Sequence, residues 1–508
     1  KERMSIQLTG KGLTIDLVKK IARDKEKVSL SQETRKNVEK GRSILQAYVD
    51  RGEKIYGVTT GFGDFSKVFI SSDDAAQLQV NLIRSHNAGV GSPVPEDVVR
   101  ATMLARANFL ASGMSGCRPI IVETLVEALN KNLYPFIPQK GSVGASGDLA
   151  PLAAMAACLM GEGLAIVDGK KIPSLQVLQE KRIKPITLSF KEGLALINGD
   201  TLMVGYATLL VYDAIQLAKL SDIAISMTIE SIVGVMEAFD ERLQVSRGFA
   251  GQVASAKNIR ALTAGSQILS GEKRRVQDSY VIRCGPVILG ASREAIAFIQ
   301  RQTEIELNGS CDNPLVFLKD NAVLAGGNFH GQPLALPLDF LKVAVSEFAS
   351  SSERRMERMI NKAYSGMPPF LIENGGLNSG FMVPQYTAAG LINLNKGLSW
   401  PNSVDSTPLC AGQEDHVSMG TNSALTAYEV IQNTQYVLAI ELLIAAQALE
   451  FAEKLPSPVI QKVKKFIRTK IPKVTQDVAM NPFIEQVRNW VSDESFVRIV
   501  EKDIGVLA

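Results

Sequence analysis

Four stretches of this chain, residues 201–237, 286–307, 335–364 and 420–454, run with few helix breakers and with apolar residues three and four positions apart. Such spacing gathers apolar groups on one side of a 3.6-residue turn, so each stretch predicts an α-helix. These segments exceed the ordinary globular helix in length, and segments this long pack economically side by side as a bundle. Many are apolar around much of their circumference, which implies burial on several sides and an oligomer in which bundles meet. The most apolar run, Val437 to Leu449, is interrupted by Glu441 and Gln447 and is too short to span a bilayer. The expected fold is mainly α, a long central antiparallel helical bundle with a smaller mixed N-terminal region carrying a glycine-rich loop at 141–148. The N-terminal region is expected over 1–200, the bundle over 201–455, and shorter, more polar helices over 456–508. No linker separates them, so one integrated fold is expected.

Ahead of the bundle, residues 75–133 keep helical spacing, broken at Gly89–Pro93 and Ser112–Gly116. An Ala-rich helix is expected from Pro151, a favourable first-turn residue. Residues 164–190 read as a small excursion with short strands around Asp168-Gly169. A net charge of +3 without a basic, aromatic-interleaved stripe gives no case for nucleic acid. The first residues, Lys1 to Ser5, carry no apolar signal core, so a cytoplasmic protein without a membrane partner is expected. Five cysteines form no CxxC pair, which points to reduced thiols and argues against structural zinc. The three histidines, His86, His330 and His416, fall in polar, glycine-rich connections, and no pair has the ligand spacing of a helix, so no metal is expected.

Gly141, Gly144 and Gly147 make 141–148 a loop, because glycine reaches backbone conformations closed to other residues. A phosphate cradle would need a following Gly-Lys-Ser/Thr, and no lysine follows. A nucleophile elbow needs Gly-x-Ser-x-Gly, but Gly147 comes directly after Ser146. Two readings remain, an ordinary turn and a self-modifying backbone. In the second, the Gly147 amide nitrogen attacks the Ala145 carbonyl and Ser146 then loses water to leave an exocyclic methylidene.

Other residues carry chemistry beside a bland alternative. Around Gln277–Cys284, helical geometry would make positions 276, 280 and 283 neighbours, so Arg283 could fork onto a carboxylate one turn from Tyr280, or form a surface ion pair. Asn198 ends an apolar run where a cap or turn residue fits. Tyr56 lies in the glycine-flanked loop Tyr56–Gly63, which could close as a lid or serve as an aromatic plug. As a general base, Tyr56 would need its pKa lowered by about 3 units, roughly 4 kcal/mol, and a cation such as Arg283 would help.

Taken together, these stretches resemble the ammonia-lyase and aminomutase family that uses a methylideneimidazolone (MIO) electrophile. The resemblance runs from Tyr56 to beyond Thr421, through YGVTTGFG (56–63), RSHNAGVG (84–91), KGSVGASGDLAPLA (140–153), EGLALINGD (192–200), RVQDSYVIRCGP (275–286), DNPLVF (312–317), GGNFHGQP (326–333), ENGGLNSGFM (373–382) and VDSTPLCAGQEDHVSMG (404–420). It implies a mostly helical homotetramer whose active sites borrow residues from three chains. Ala145, Ser146 and Gly147 would cyclise autocatalytically into MIO (4-methylideneimidazole-5-one), with no external cofactor. Tyr56 would remove the β-proton, and Tyr280 would act with it. Asn198, Gln277 and Tyr280 would hold electrophile and substrate, Arg283 the substrate carboxylate, and Phe329 would shield MIO. His86, Met382 and Glu414 complete the implied substrate contacts.

His86 and Glu414 favour the histidine-acting branch, in which L-histidine gives trans-urocanate and ammonia, the first step of histidine degradation. A buried carboxylate without an imidazole partner would reject a phenyl ring, a discrimination that reaches about 10⁴-fold. Asp200 stands where the family usually has threonine, and Gly412 where histidine-acting members usually have asparagine. Those departures leave open a tyrosine or other aromatic lyase or a 2,3-aminomutase. From another class, an inactive oligomeric scaffold would use the same helices.

Overall fold

The computed structural model describes residues 5–71, 74–271 and 274–508. The long helices are Thr201–Ser231, Gly285–Leu307, Gln332–Ile360 and Gly420–Ala448. Two helical stretches, Glu192–Ser231 and Gly420–Phe451, are long and apolar enough to cross a membrane, yet their most apolar windows are 100% and 83% buried within the protein. Apolarity all round a helix goes with burial on all sides, as the sequence implied. The long helices and few strands bear out the mainly α fold class.

The chain divides into two compact units that are not consecutive in sequence. The first comprises residues 1–212, 299–339 and 401–425, and the second 213–298, 340–400 and 426–508. The described strands form four two-stranded sheets, all of them in the first unit. Ile6–Leu8 pairs in parallel with Val28–Leu30, and Val90–Pro93 runs antiparallel to Pro138–Lys140. Leu164–Val167 and Lys170–Pro173 form a hairpin that turns at Asp168-Gly169, where the sequence expected it. Leu315–Phe317 pairs with Ala322–Leu324, and Val316 packs with Ile44, Leu45, Ile55 and Val58 in a small core below the Tyr56 loop.

Three short helices of the first unit form the frame for the glycine-rich loop. Ala75–His86, Leu149–Met160 and Glu192–Ile197 all pack on one another. Leu149–Met160 is rich in alanine and buried from Pro151 to Leu159, so neighbouring backbones approach closely. It begins two residues before Pro151, which therefore sits within the first turn, where a missing N–H costs nothing. His86 is the last residue of its helix rather than part of a free connection.

In the second unit the helix expected across Gln277–Cys284 covers only Tyr280–Arg283. Positions 276 and 277 precede it, so the expected neighbourhood of 276, 280 and 283 reduces to Tyr280 and Arg283, whose guanidinium carbon lies 4.5 Å from the Tyr280 ring centroid.

Candidate active site

The loop at 141–148 is held by its own backbone. Gly147 has φ +92°, a left-handed conformation that a side chain would strain, and an added Cβ would lie 2.9 Å from Met203 Cε and 3.3 Å from the Ser418 and Thr421 hydroxyls. The Gly147 carbonyl accepts hydrogen bonds from Ser142 Oγ at 2.5 Å and Thr421 Oγ1 at 2.7 Å. Gly331 N–H donates to the Ala145 carbonyl at 2.9 Å, and a Cβ on Gly331 would come within 2.6 Å of the Ser146 carbonyl. Ala145 N–H donates to Glu414 Oε2 at 3.1 Å. Every peptide group from Ala145 to Gly147 is thus pinned or crowded by the surrounding protein. Ala145 and Ser146 are buried.

Asp148 follows directly and ends the loop ahead of the helix Leu149–Met160. Its carboxyl accepts Met203 N–H at 2.8 Å and lies 2.8 Å from Thr421 Oγ1. Burial pushes this carboxyl up to about 7, against the hydrogen bonds from Met203 and Thr421 that favour its charge. Thr421 Oγ1 has one proton to donate and shares it between the Gly147 carbonyl and the Asp148 carboxyl. Asp148 and Thr421 thus strap the loop from one side.

A cavity of about 1080 Å³ opens beside this loop within the first unit. Tyr56, His86, Ala145, Ser146, Asn198, Phe329 and Glu414 all line it, so seven residues expected at one site meet there. Gln277, Tyr280, Arg283 and Met382 belong to the second unit and are not among its lining residues.

Tyr56 Oη accepts Gly63 N–H at 3.1 Å, which ties the two ends of its loop together. Burial raises the phenol's pKa, the Gly63 N–H partly offsets this, and Cys410 and Glu414 raise it further. The lowering expected from Arg283 has no counterpart among these causes. His86 Nδ1 lies 2.9 Å from the Leu82 carbonyl, which only accepts, so Nδ1 bears the hydrogen and Nε2 of the neutral ring is an acceptor. Burial lowers the His86 pKa and keeps the ring neutral. Asn198 Nδ2 donates to Asp312 Oδ1 at 3.1 Å and to the Asn313 carbonyl at 3.3 Å. Asp312 also accepts Lys191 Nζ at 2.7 Å, an ion pair with both side chains fully buried. The floor under Asn198 is accordingly rigid.

His330 and His416 also line the cavity, although the sequence assigned neither a role. Gln332 N–H donates to His330 Nδ1 at 3.2 Å, so the neutral ring carries its hydrogen on Nε2, which faces His416 Nδ1 at 3.4 Å. Burial lowers the His330 pKa, a hydrogen bond with the His416 backbone partly offsets this, and the charge of His416 lowers it again. Asp148 had one sequence signal, adjacency to Gly147. Thr421 had none, because it reaches the loop from 273 positions away.

Residues 13–469 match the aromatic amino acid lyase family model. The chain is 49% identical over 474 residues to a histidine ammonia-lyase of Caldanaerobacter subterraneus subsp. tengcongensis, covering 93% of each protein. A solved tyrosine aminomutase from Streptomyces globisporus superposes with a TM-score of 0.95 at 35% identity, covering 99% of this chain and 100% of that one. A histidine ammonia-lyase from Trypanosoma cruzi superposes with a TM-score of 0.92 at 35% identity, covering 99% and 96%.

Proposed function

The chain belongs to the aromatic amino acid lyase family, and from that premise we propose that it releases ammonia from L-histidine to give trans-urocanate. The observation that carries this reading is the pairing of Glu414 with His86 around the Ala145–Gly147 loop in one cavity. Glu414 and the Nε2 of His86 are both acceptors, and an imidazole N–H satisfies such a site. A phenyl ring would leave both unpaired, which costs affinity steeply. The 49% identical relative, named for this activity over nearly the whole chain, supports the same substrate.

Ala145, Ser146 and Gly147 fit the MIO group. Glycine alone suits position 147, and the carbonyls of Ala145 and Gly147 are each held by donors from distant segments. When formed, the group supplies an electrophile that turns the substrate amine into a better leaving group. Around it, Glu414 and His86 orient the ring, Phe329 and the buried frame exclude water, and Asn198 is fixed from behind by Asp312 and Asn313. Tyr56 takes the β-proton on its phenol oxygen, next to Gly63 N–H. Burial raises the pKa of this phenol in one chain, and a cation brought beside it would lower it. In our reading a homotetramer supplies it, with Arg283, Gln277, Tyr280 and Met382 coming from neighbouring copies. The 88% and 71% exposure of Val276 and Tyr280 agrees with this. The protein acts in the cytoplasm.

Likeness to the tyrosine aminomutase favours a second reading, tyrosine as substrate on the same scaffold. Incubating the purified protein separately with L-histidine and L-tyrosine, and following urocanate and coumarate absorbance, separates the two. Urocanate alone is expected. Coumarate or β-tyrosine without urocanate would overturn the histidine reading.

A further inference from the structure

Asp200, Glu306 and Cys311 are distant in sequence and converge, and none of them is among the residues that line the cavity. Asp200 stands just ahead of the helix Thr201–Ser231, Glu306 lies in the last turn of Gly285–Leu307, and Cys311 follows that helix. One ligand atom from each lies within 4.8 Å of the other two. Asp200 and Cys311 are buried, whereas Glu306 keeps partial exposure and so leaves a way in. Asp200 N–H donates to Cys311 Sγ at 3.1 Å, and the thiol lies 2.8 Å from Asp200 Oδ1. The other oxygen, Asp200 Oδ2, is shut off from solvent and has no hydrogen-bond partner among the described residues. A buried acceptor of that kind costs free energy unless something occupies it.

We propose that Asp200, Glu306 and Cys311 bind a divalent transition-metal ion of the zinc class, separate from the lyase reaction. One thiolate and two carboxylates form a donor set suited to such borderline cations. Zinc–sulfur and zinc–oxygen bonds of about 2.3 and 2.1 Å set tetrahedral ligands about 3.5 Å apart, so the side chains need only close inward. Charge agrees as well. Arg106 is the cation whose field reaches both Asp200 and Cys311. Its Nη1 is bound to the Ala195 and Asn198 carbonyls. One guanidinium against two carboxylates and a thiolate leaves a double negative charge, which a divalent cation neutralises. On binding, metal bonds replace the Cys311 S–H bond and any O–H bond held by the Asp200 and Glu306 carboxyls, the released protons pass to water, and a water completes the fourth position. The ion would join the start of Thr201–Ser231 to the segment whose Asp312 and Asn313 hold Asn198. It would stiffen the floor under that residue without touching substrate.

The test uses full-length protein stripped by a chelator and titrated with Co²⁺. Expected are one equivalent per chain, a sulfur-to-cobalt charge-transfer band in the near ultraviolet, tetrahedral ligand-field bands, and a higher Tm. Cys311→Ser should lose the charge-transfer band. Glu306→Gln, at a partly exposed helical position, should weaken cobalt binding by more than the about tenfold that loss of an outer-shell partner brings, with a far-ultraviolet circular dichroism spectrum like the wild type's. A wild-type protein without the sulfur band, including one that binds cobalt through histidines alone, would overturn the assignment. So would a band that survives Cys311→Ser, or unchanged affinity in Glu306→Gln.

Discussion

Glu414 has two tasks on one carboxylate. It accepts Ala145 N–H at 3.1 Å and lines the cavity, so it fixes the loop while leaving acceptor capacity for a ligand. Glutamine has a single carbonyl oxygen and an amide that donates, so it cannot serve the loop and an imidazole N–H equally well. Glu414→Gln is therefore expected to lower kcat/KM for L-histidine about 10- to 100-fold, the equivalent of a charged hydrogen bond of about 1.5–3 kcal/mol. Melting should be nearly unchanged, because Glu414 is only half-buried. Steady-state kinetics beside thermal unfolding checks both, and unchanged turnover would remove Glu414 from substrate recognition. At this scale part of the candidate site was legible in short motifs, while Gln277, Tyr280, Arg283 and Met382, named from motifs too, are not among the cavity's lining residues. Tyr56, His86, Ala145, Ser146, Asn198, Phe329 and Glu414 were all named in those motifs, and all meet in one cavity. The strap formed by Asp148 and Thr421, the His330–His416 pair and the trio of Asp200, Glu306 and Cys311 were not legible as contacts. Each depends on residues that only the folded chain brings together.

Among the elements, the long helices were readable because runs with few glycine or proline breakers and with helical spacing leave little else for the backbone to do. Their bounds shifted by a few residues, with the helix expected over 335–364 observed as Gln332–Ile360 despite Pro337 inside it. The four-residue Tyr280–Arg283 helix was misjudged in extent, since so short a turn has no periodicity to detect. What holds the long helices in register was hidden in the sequence. In the second unit, Arg355 Nε and Nη2 each donate to Glu441 at 2.6 Å, and both side chains are fully buried. Thr228 and Ser351 complete the set, through Glu441 Oε1 at 2.9 Å and Arg355 Nη1 at 3.2 Å. Removing one member strands a buried charge, so Arg355→Met is expected to cost about 3–5 kcal/mol. Replacing both, Arg355→Met with Glu441→Leu, should recover most of that loss, because an apolar pair needs no desolvation offset. Denaturant unfolding of the three proteins measures it. A single variant as stable as the wild type would show that the pair does not lock these helices.

For the whole molecule, composition and helix apolarity indicated a large buried core, and the fold agrees with that. The division into two units built from interleaved segments could not be read from the chain, because long helices carry no mark of where their neighbours change. What one chain's structure adds is that four of the expected site residues, Gln277, Tyr280, Arg283 and Met382, are not among those lining the cavity. Glu414, His86, Ala145 and Ser146 share a cavity whose lining, among the described residues, has no arginine, although an amino acid's carboxylate calls for one. An assembly of copies is the economical remedy. Native mass spectrometry of the purified protein tests this account most directly, because it weighs the assembly and the loop together. Four chains are expected, each lighter than its sequence by two water molecules, with the loss confined to the peptide containing Ala145, Ser146 and Gly147 and abolished in Ser146→Ala. An assembly that makes urocanate while every chain keeps its full sequence mass would contradict it.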